Sequence, residues 1–496
     1  MAYNSQNPTY ELPPKALTFL LLAVGLVTIV ISIITQKLLI AAAVISLPLV
    51  VIILVYGSRS PRFGFFLYAT YSYFFTAIMR YSRQEGLSVV LDILLVYMLI
   101  TIFFSAIRKE SNIKLSNAIN VLTVSYIAWM IFILVQLANP GIRAEGVTLG
   151  IRSWILGTFV LYIISSLFAD TPKTLKAGLI LFGMFTFIAF LKLLYQKFRW
   201  FDAAETEWLM QNSWYTHILS SGIRYFSIFS DAGNFGAHMG IITIVYSIIG
   251  FRTHDRWLSI FYVSVGVMGA IGMLMSGTRG AIIIPFGGLV LYCLVCKNIK
   301  VMIVSVLTGA AMFAFFAFTD IGDDNSVIRR MRTAFRPSED DSYNVRVENR
   351  KIIAEYLVRH PWGTGLERGV PRIVRTEGGD LVREDTVPPD SYYVKIWMQT
   401  GIIGLILYIA IYTIVLIRCC YIIMFRIRNQ ELLHTLAALL CGVFGVWLNG
   451  YVGEGMGQPP TNFVIVAALA FVLNGPYIDK QITQQNQVKQ SNTHYE

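Results

Sequence analysis

Two arginines sit where a polytopic chain rarely keeps them. Arg279 lies in Ser276-Gly277-Thr278-Arg279-Gly280, a very short turn between two apolar stretches, and Arg224 lies in Gly222-Ile223-Arg224-Tyr225-Phe226-Ser227, just ahead of another. An arginine held inside a membrane costs about 2.5–3.5 kcal/mol even on lenient scales, so such a position faces a polar cavity and a partner. The planar guanidinium grips phosphate through two parallel hydrogen bonds, and glycines beside it let backbone amides approach an anion. Arg224 and Arg279 are therefore candidates for holding a phosphate. For Arg224 the plain alternative is a salt bridge to Asp231.

A third chemical group is Asp390, in Val387-Pro388-Pro389-Asp390-Ser391-Tyr392-Tyr393. A carboxylate at the mouth of an apolar helix can act as a base on a hydroxyl, or it can simply cap that helix. Asn234, Ser276 and Tyr392 stand beside these groups as substrate-binding candidates. Arg346 and Arg350, four apart on one predicted helix face, join them. Arg80 and Arg83, at the end of an earlier apolar stretch, are weaker candidates, because a long side chain also snorkels to headgroups. The same holds for Arg152.

The elements that carry these residues are membrane spans. Of 496 residues 55% are hydrophobic and 14% charged, too apolar for a water-soluble protein. About twenty apolar residues cross a bilayer, and about fourteen stretches qualify. Residues 1–16 form a polar N-terminus without a cleavable signal, 17–318 hold eleven spans, 319–390 a large loop, 391–474 three more spans, and 475–496 a Gln-rich disordered tail. The expectation is an all-α polytopic membrane protein. Its first two spans are Leu17–Thr35 and Leu38–Tyr56, and its twelfth is Tyr393–Ile417.

All six even-to-odd connections are basic, which places them and both termini in the cytoplasm and the large loop outside. The net charge of +11 is mostly this topogenic lysine and arginine, so it gives no support to nucleic-acid binding. The five cysteines lie in or beside spans, so no disulfide framework is indicated. Between Asp320 and Asp390 stand twelve basic and fourteen acidic residues, and eleven of the twelve are arginine, the residue suited to oriented phosphate or carboxylate contacts. Within it, Ser326–Arg336 reads as a basic amphipathic turn and Tyr343–His360 as a helix. Phe201–Ser221 reads as a helix lying in the interface.

These pieces, in this order, resemble the O-antigen ligase and polymerase superfamily of bacterial membrane glycosyltransferases. The resemblance rests on Arg224 through Asn234, on Ser276 through Ala281, and on Asn349-Arg350 through His360-Pro361-Trp362-Gly363-Thr364-Gly365. It also rests on Asp390-Ser391-Tyr392 and on Gln399-Thr400-Gly401-Ile402-Ile403-Gly404-Leu405. It implies a GT-C-like fold in the bacterial inner membrane with the active site facing the periplasm. It implies, too, a donor glycan on a polyprenyl (undecaprenyl) diphosphate, held by Arg224 and Arg279 without metal or other cofactor. Many ligases carry a histidine where the loop re-enters the membrane; this chain has Asp390, which leans toward polymerase-type relatives. The leading expectation is a ligase with a lipid A–core acceptor. A repeat-unit polymerase, a protein O-oligosaccharyltransferase and a lipid-linked glycan flippase are the alternatives, although a flippase usually shows internal repeats and none is evident.

Overall fold

A computed structural model describes residues 61–84, 86–107, 114–219, 222–297, 299–322, 324, 328–329, 332, 341–375 and 381–493. The two expected N-terminal spans and most of Ser326–Arg336 lie outside the described residues. The chain divides into two compact units, Met1–Gly64 with Ile100–Ser111, and Phe65–Leu99 with Asn112–Glu496. In the first, the described residues 61–64 and 100–107 are helical. Every candidate residue belongs to the second.

The described chain is almost entirely helical: α1 Pro61–Ser82, α2 Val89–Ile107, α3 Val121–Gln136, α4 Ala144–Phe168, α5 Pro172–Arg199, α6 Ala232–Arg252 and α7 Arg256–Met275. There follow α8 Ile283–Val295, α9 Ile299–Phe318, α10 Asp341–Arg359, α11 Tyr392–Arg426, α12 Gln430–Asn449, α13 Thr461–Leu473 and α14 Gly475–Thr493. Short helical segments Ala203–Trp208, Leu209–Ser213 and Trp214–His217 lie between α5 and α6, and there are two small antiparallel hairpins, β1 Ile218–Leu219 with β2 Gly222–Ile223, and β3 Pro371–Arg375 with β4 Leu381–Thr386. Seven helices are long and apolar enough to cross a membrane, or eight if the bent pair α13–α14 is one span. Three shorter apolar helices accompany them. This is a multi-pass membrane protein, and the expected fourteen crossings are not reached among the described residues.

Local chemistry starts these helices. Side-chain oxygens of Asn120, Thr171, Asp231, Asp255 and Asn429 accept the first free amides of α3, α5, α6, α7 and α12, satisfying donors that a bilayer could not. At the centre α6 is enclosed by α7, α12 and α8, its neighbours approaching on small residues. A methyl at Gly269 would stand 2.9 Å from the Thr243 amide, and one at Gly442 would stand 2.9 Å from the Val245 side chain.

Two elements depart from expectation. The segment after Asp479, read as disordered, continues as helix to Thr493. Asp479 anchors it by accepting the backbone amides of Arg428 at 3.2 Å and Asn429 at 2.9 Å, and glutamine and lysine are good helix formers once a helix is started.

The second departure matters more for the site. The expected twelfth span is two helices: α11 breaks at Gly401, with φ 71° and ψ −174°. Tyr392 and Tyr408, sixteen positions apart, would lie about 24 Å apart in a straight helix, yet their rings are 6.0 Å apart. The chain climbs from Tyr392 to Thr400, reverses, and runs back past its own start. The loop Pro361–Gly365 sits over this apex: Thr364 and Gly365 donate to the Met398 and Gln399 carbonyls at 2.8 and 3.2 Å, and Gln136 donates to that of Thr400 at 3.3 Å.

Gly401 occupies a backbone region that is essentially glycine's alone, and an added methyl would meet the Pro361 carbonyl oxygen at 2.0 Å. Gly401→Ala is accordingly expected to destabilise the protein by at least about 1–3 kcal/mol. A thermal melt in detergent checks this; an unchanged melting temperature would show that the reversal is not fixed by the glycine.

Candidate active site

Arg224 leaves the β1–β2 hairpin with its amide donating to the His217 carbonyl at 2.8 Å. One guanidinium nitrogen donates to the Thr216 carbonyl at 3.0 Å and the other to Thr278 Oγ1 at 3.1 Å. The same threonine hydroxyl donates to the Ala232 carbonyl at 2.7 Å. One hydroxyl thus joins the Arg224 segment, the start of α6 and the Ser276–Gly280 turn. Arg279 opens the next turn, half-buried, directly after Thr278.

Burial, helped by the charges of Arg346 and Arg279 and opposed by Asp231, lowers the Arg224 pKa to about 10. It remains a cation at neutral pH, and three guanidinium groups bear on one place. Asp231 spends its carboxylate capping α6, accepting from the Gly233 and Asn234 amides at 2.7 and 2.9 Å, in place of the salt bridge to Arg224 weighed above. His217 supports the same corner: its Nε2 accepts from the Ala232 amide at 3.2 Å. Burial lowers its pKa to about 4, so the ring is neutral.

Asp390 stands at the foot of α11 with a left-handed backbone, φ 54°, which aspartate tolerates better than most residues. It is not the cap of that helix. Ser391 is, accepting from the Val394 amide and donating to the Gly450 carbonyl at 3.0 Å. Asp390 Oδ2 instead accepts from Asn349 Nδ2 at 2.9 Å. Asn349 lies on α10, between Arg346 and Arg350. The apolar stripe of α10, Ile353 and Leu357, packs with Val370, Val387 and Met398, clamping α10 along the rising half of α11.

The piece that ties everything together went unread in the sequence. Gly450–Pro460, between α12 and α13, receives a contact from nearly every motif. Arg346 donates to the Val452 carbonyl at 3.4 Å, and Arg350 to the Tyr451 carbonyl and hydroxyl at 3.0 Å, while lying 4.5 Å over its ring. The Tyr392 amide donates to the carbonyls of Gly450 at 2.9 Å and Gly453 at 3.2 Å. Ser230 donates to Gln458 Oε1 at 2.7 Å. Burial raises the pKa of Glu454 in this segment, with Lys395 opposing and Asp390, Asp231 and Glu367 adding to it. The signal was available: Gly450-Tyr451-Val452-Gly453-Glu454-Gly455-Met456-Gly457-Gln458-Pro459-Pro460 is far more polar and glycine-rich than a mere link between two spans requires.

Some candidates prove to be scaffolding. Asn234 donates to Ser230 Oγ at 3.1 Å and to the Pro459 carbonyl at 2.9 Å, and accepts from Thr461 at 3.0 Å. Ser276, fully buried, donates to the Met273 carbonyl at 2.7 Å and accepts from the Thr278 amide at 3.1 Å. Both shape the site from within. Tyr392 lines a cavity treated below. His360 is exposed, stacked 4.1 Å from Tyr356 at the far end of α10.

Arg80 lies behind the site. It donates to the Ser227 and Phe229 carbonyls at 3.3 and 2.5 Å and sits over the Trp208 and Phe226 rings. Arg83 makes an exposed ion pair with Glu207 at 2.6 Å. Arg80→Met should destabilise by about 1–3 kcal/mol, because two buried carbonyls lose their donor, whereas Arg83→Ala should cost about 0–1 kcal/mol. Thermal melts of the two variants check the ordering, and equal shifts would contradict it.

Residues 263–409 match a protein-family model described as O-Antigen ligase. The matched span includes Arg279, all of α10, Asp390 and the reversal at Gly401. Arg224 and the Gly450–Pro460 segment lie outside the match. No curated protein matches the chain.

Proposed function

We propose that a chain with this O-antigen ligase-type domain is a membrane glycosyltransferase, moving a glycan from a polyprenyl diphosphate to an acceptor hydroxyl on the periplasmic face of the inner membrane. The observation that carries this reading is that Arg224 is hydrogen-bonded to Thr278, next to Arg279, with Arg346 near enough to bear on its charge, while Asn349, on the same helix as Arg346, holds Asp390. Diphosphate is already a good leaving group, so the protein has mainly to stabilise its developing charge. Preorganised donors in a low-dielectric site do this well. Asp390, oriented by Asn349, takes the proton of the acceptor hydroxyl as that oxygen forms its bond to the anomeric carbon. The bond from that carbon to the diphosphate breaks, and its electron pair leaves with the phosphate held by the arginines. None of these roles calls on a metal or other cofactor.

The lipid part of the donor has a matching place. An apolar groove of about 500 Å³ is lined by Met273, Leu274 and Ile282, which flank the Arg279 turn, and by Ile244, Pro285 and Phe286 farther along. A diphosphate at Arg279 would let its polyprenyl chain lie there.

The test is to incubate purified protein with a polyprenyl-diphosphate glycan and candidate acceptors and to identify the product. Glycan on lipid A–core makes the protein a ligase, a lengthened carrier-linked glycan makes it a polymerase, and glycosylated protein makes it an oligosaccharyltransferase. Movement between leaflets with no product would replace the proposal with a flippase. Ligation is the leading reading. Asp390 in the place of a histidine favours polymerisation as the second.

A further inference from the structure

Beside the foot of α11 lies a cavity of about 300 Å³ that none of the roles above uses. It borders the reaction centre through Tyr392, Met456 and Gly457. Helix α10 meets the same two segments, Asn349 at Asp390 and Arg346 and Arg350 at Val452 and Tyr451. The cavity and the α10 contacts therefore share the foot of α11 and the Gly450–Pro460 segment.

Its lining is unlike that of the arginine cluster. Two cations enter it, each already matched: Arg152 pairs with Asp92 at 2.5 Å, and Lys395 with Glu367 at 3.7 Å. A site whose charges cancel within itself does not call for an anion. It offers carboxylate acceptors and cationic donors side by side, which suits a neutral ligand rich in hydroxyls. Beyond these pairs the wall turns aromatic, with Tyr68, Tyr126, Tyr392, Tyr408, Tyr412 and Trp154. Aromatic rings give a sugar's C–H faces a surface on which to lie. The volume stands at the low end for small-molecule sites, about 300–1,000 Å³, enough for a short saccharide and too small for a whole glycan.

The helix along one side carries an independent mark. Ile151–Val160, inside α4, is wound as a π-helix over ten residues. Such winding is rare, occurs mostly as single turns and clusters at functional sites. Arg152, Ser153, Trp154, Gly157 and Thr158, all from this segment, face the cavity.

We propose that this cavity is the acceptor subsite: it holds the terminal sugar of the acceptor, its hydroxyl directed at Asp390 and away from the diphosphate. This deepens the glycosyltransferase reading and rests on it for the word acceptor. A saccharide site as such does not depend on it. Direct displacement asks the attacking hydroxyl to come from the side opposite the leaving group, and this cavity reaches Tyr392, two residues from Asp390, while Arg224, Arg279 and Arg346 are not among its lining residues.

Gly157→Trp tests the idea by filling the cavity. A methyl at Gly157 would meet only the Arg152 carbonyl oxygen, at 3.4 Å, so the backbone accommodates the substitution. The acceptor KM should rise about tenfold or more while the donor KM and donor hydrolysis stay unchanged. An unchanged acceptor KM, or a rise in the donor KM instead, would overturn the proposal.

A second measurement needs no turnover. A benzoylphenylalanine photo-crosslinker at Ser153, irradiated in native membranes, should yield adducts that carry sugar by mass spectrometry. Adducts of polyprenyl or phospholipid chains alone, or none above those of a crosslinker at lipid-facing Ile131, would sink it. Sugar adducts in a protein that transfers glycan to no acceptor would refute the glycosyltransferase reading and leave a saccharide site standing.

Discussion

Arg279→Ala should abolish glycan transfer, with a loss of at least about 10²–10³ in kcat, or about 2.7–4 kcal/mol, as for other preorganised donors to a developing negative charge. Arg224→Ala should match it, for a partly different reason. Arg279 acts at the mouth of a turn, whereas Arg224 also donates to Thr278 Oγ1 and so braces that turn. Arg224→Lys separates the two contributions: it keeps the charge but cannot hold Thr216 and Thr278 with one planar fork. Transfer by this variant should be intermediate. Thr278→Val, which leaves both guanidinium groups in place, should show a smaller defect than either alanine variant. The measurement is transfer of glycan from a polyprenyl-diphosphate donor by purified protein, with expression and melting temperature as controls. Full activity in both alanine variants would remove the diphosphate clamp.

Asp390→Asn should be the second largest effect. Losing a general base commonly costs about 10²–10⁴ in rate, and the amide keeps the volume and the Asn349 neighbourhood. Turnover should therefore fall while donor affinity is retained. Unchanged turnover would reduce Asp390 to a structural role. Glu454→Gln is the informative companion. Because the raised Glu454 pKa means that the folded state binds its proton more tightly than the unfolded chain, this residue makes stability fall as pH rises from the ordinary glutamate range toward the raised value. Glu454→Gln removes that slope. A pH series of melting temperatures in which wild type and variant run parallel would show that Glu454 does not titrate as its burial implies.

Much of this site could be read from residue types. Arginines beside apolar stretches, and a carboxylate where a loop meets a span, are costly placements that stand out against their surroundings. The structure bonds Arg224 to Thr278, the residue before Arg279, and Asn349 to Asp390. What stayed hidden has physical reasons. A reversal at Gly401 is invisible to hydropathy, because the chain is apolar on both sides of it and hydropathy carries no direction. Asn234 and Ser276 look like ligand-binding groups because they are polar and near arginines, yet the same donors serve to tie α6 to the Gly450–Pro460 segment and to shape the Thr278 turn. That segment escaped notice because, at eleven residues, it passes for a connection. The helix beyond Asp479 was misread because a composition rich in glutamine describes both solvated coil and a helix whose first turn is already anchored.

The reversal at Gly401 has a mechanical consequence. Both ends of the rising half of α11 are gripped by the same external element: Asp390 at the bottom by Asn349, and the apex at the top by Pro361–Gly365, just past the end of α10. Such a twice-fastened strut cannot swing open without carrying the base away with it. On the proposed reading, any opening at this strut would displace the base, and lipid-borne substrates would have to slide in sideways between helices while the strut stays put.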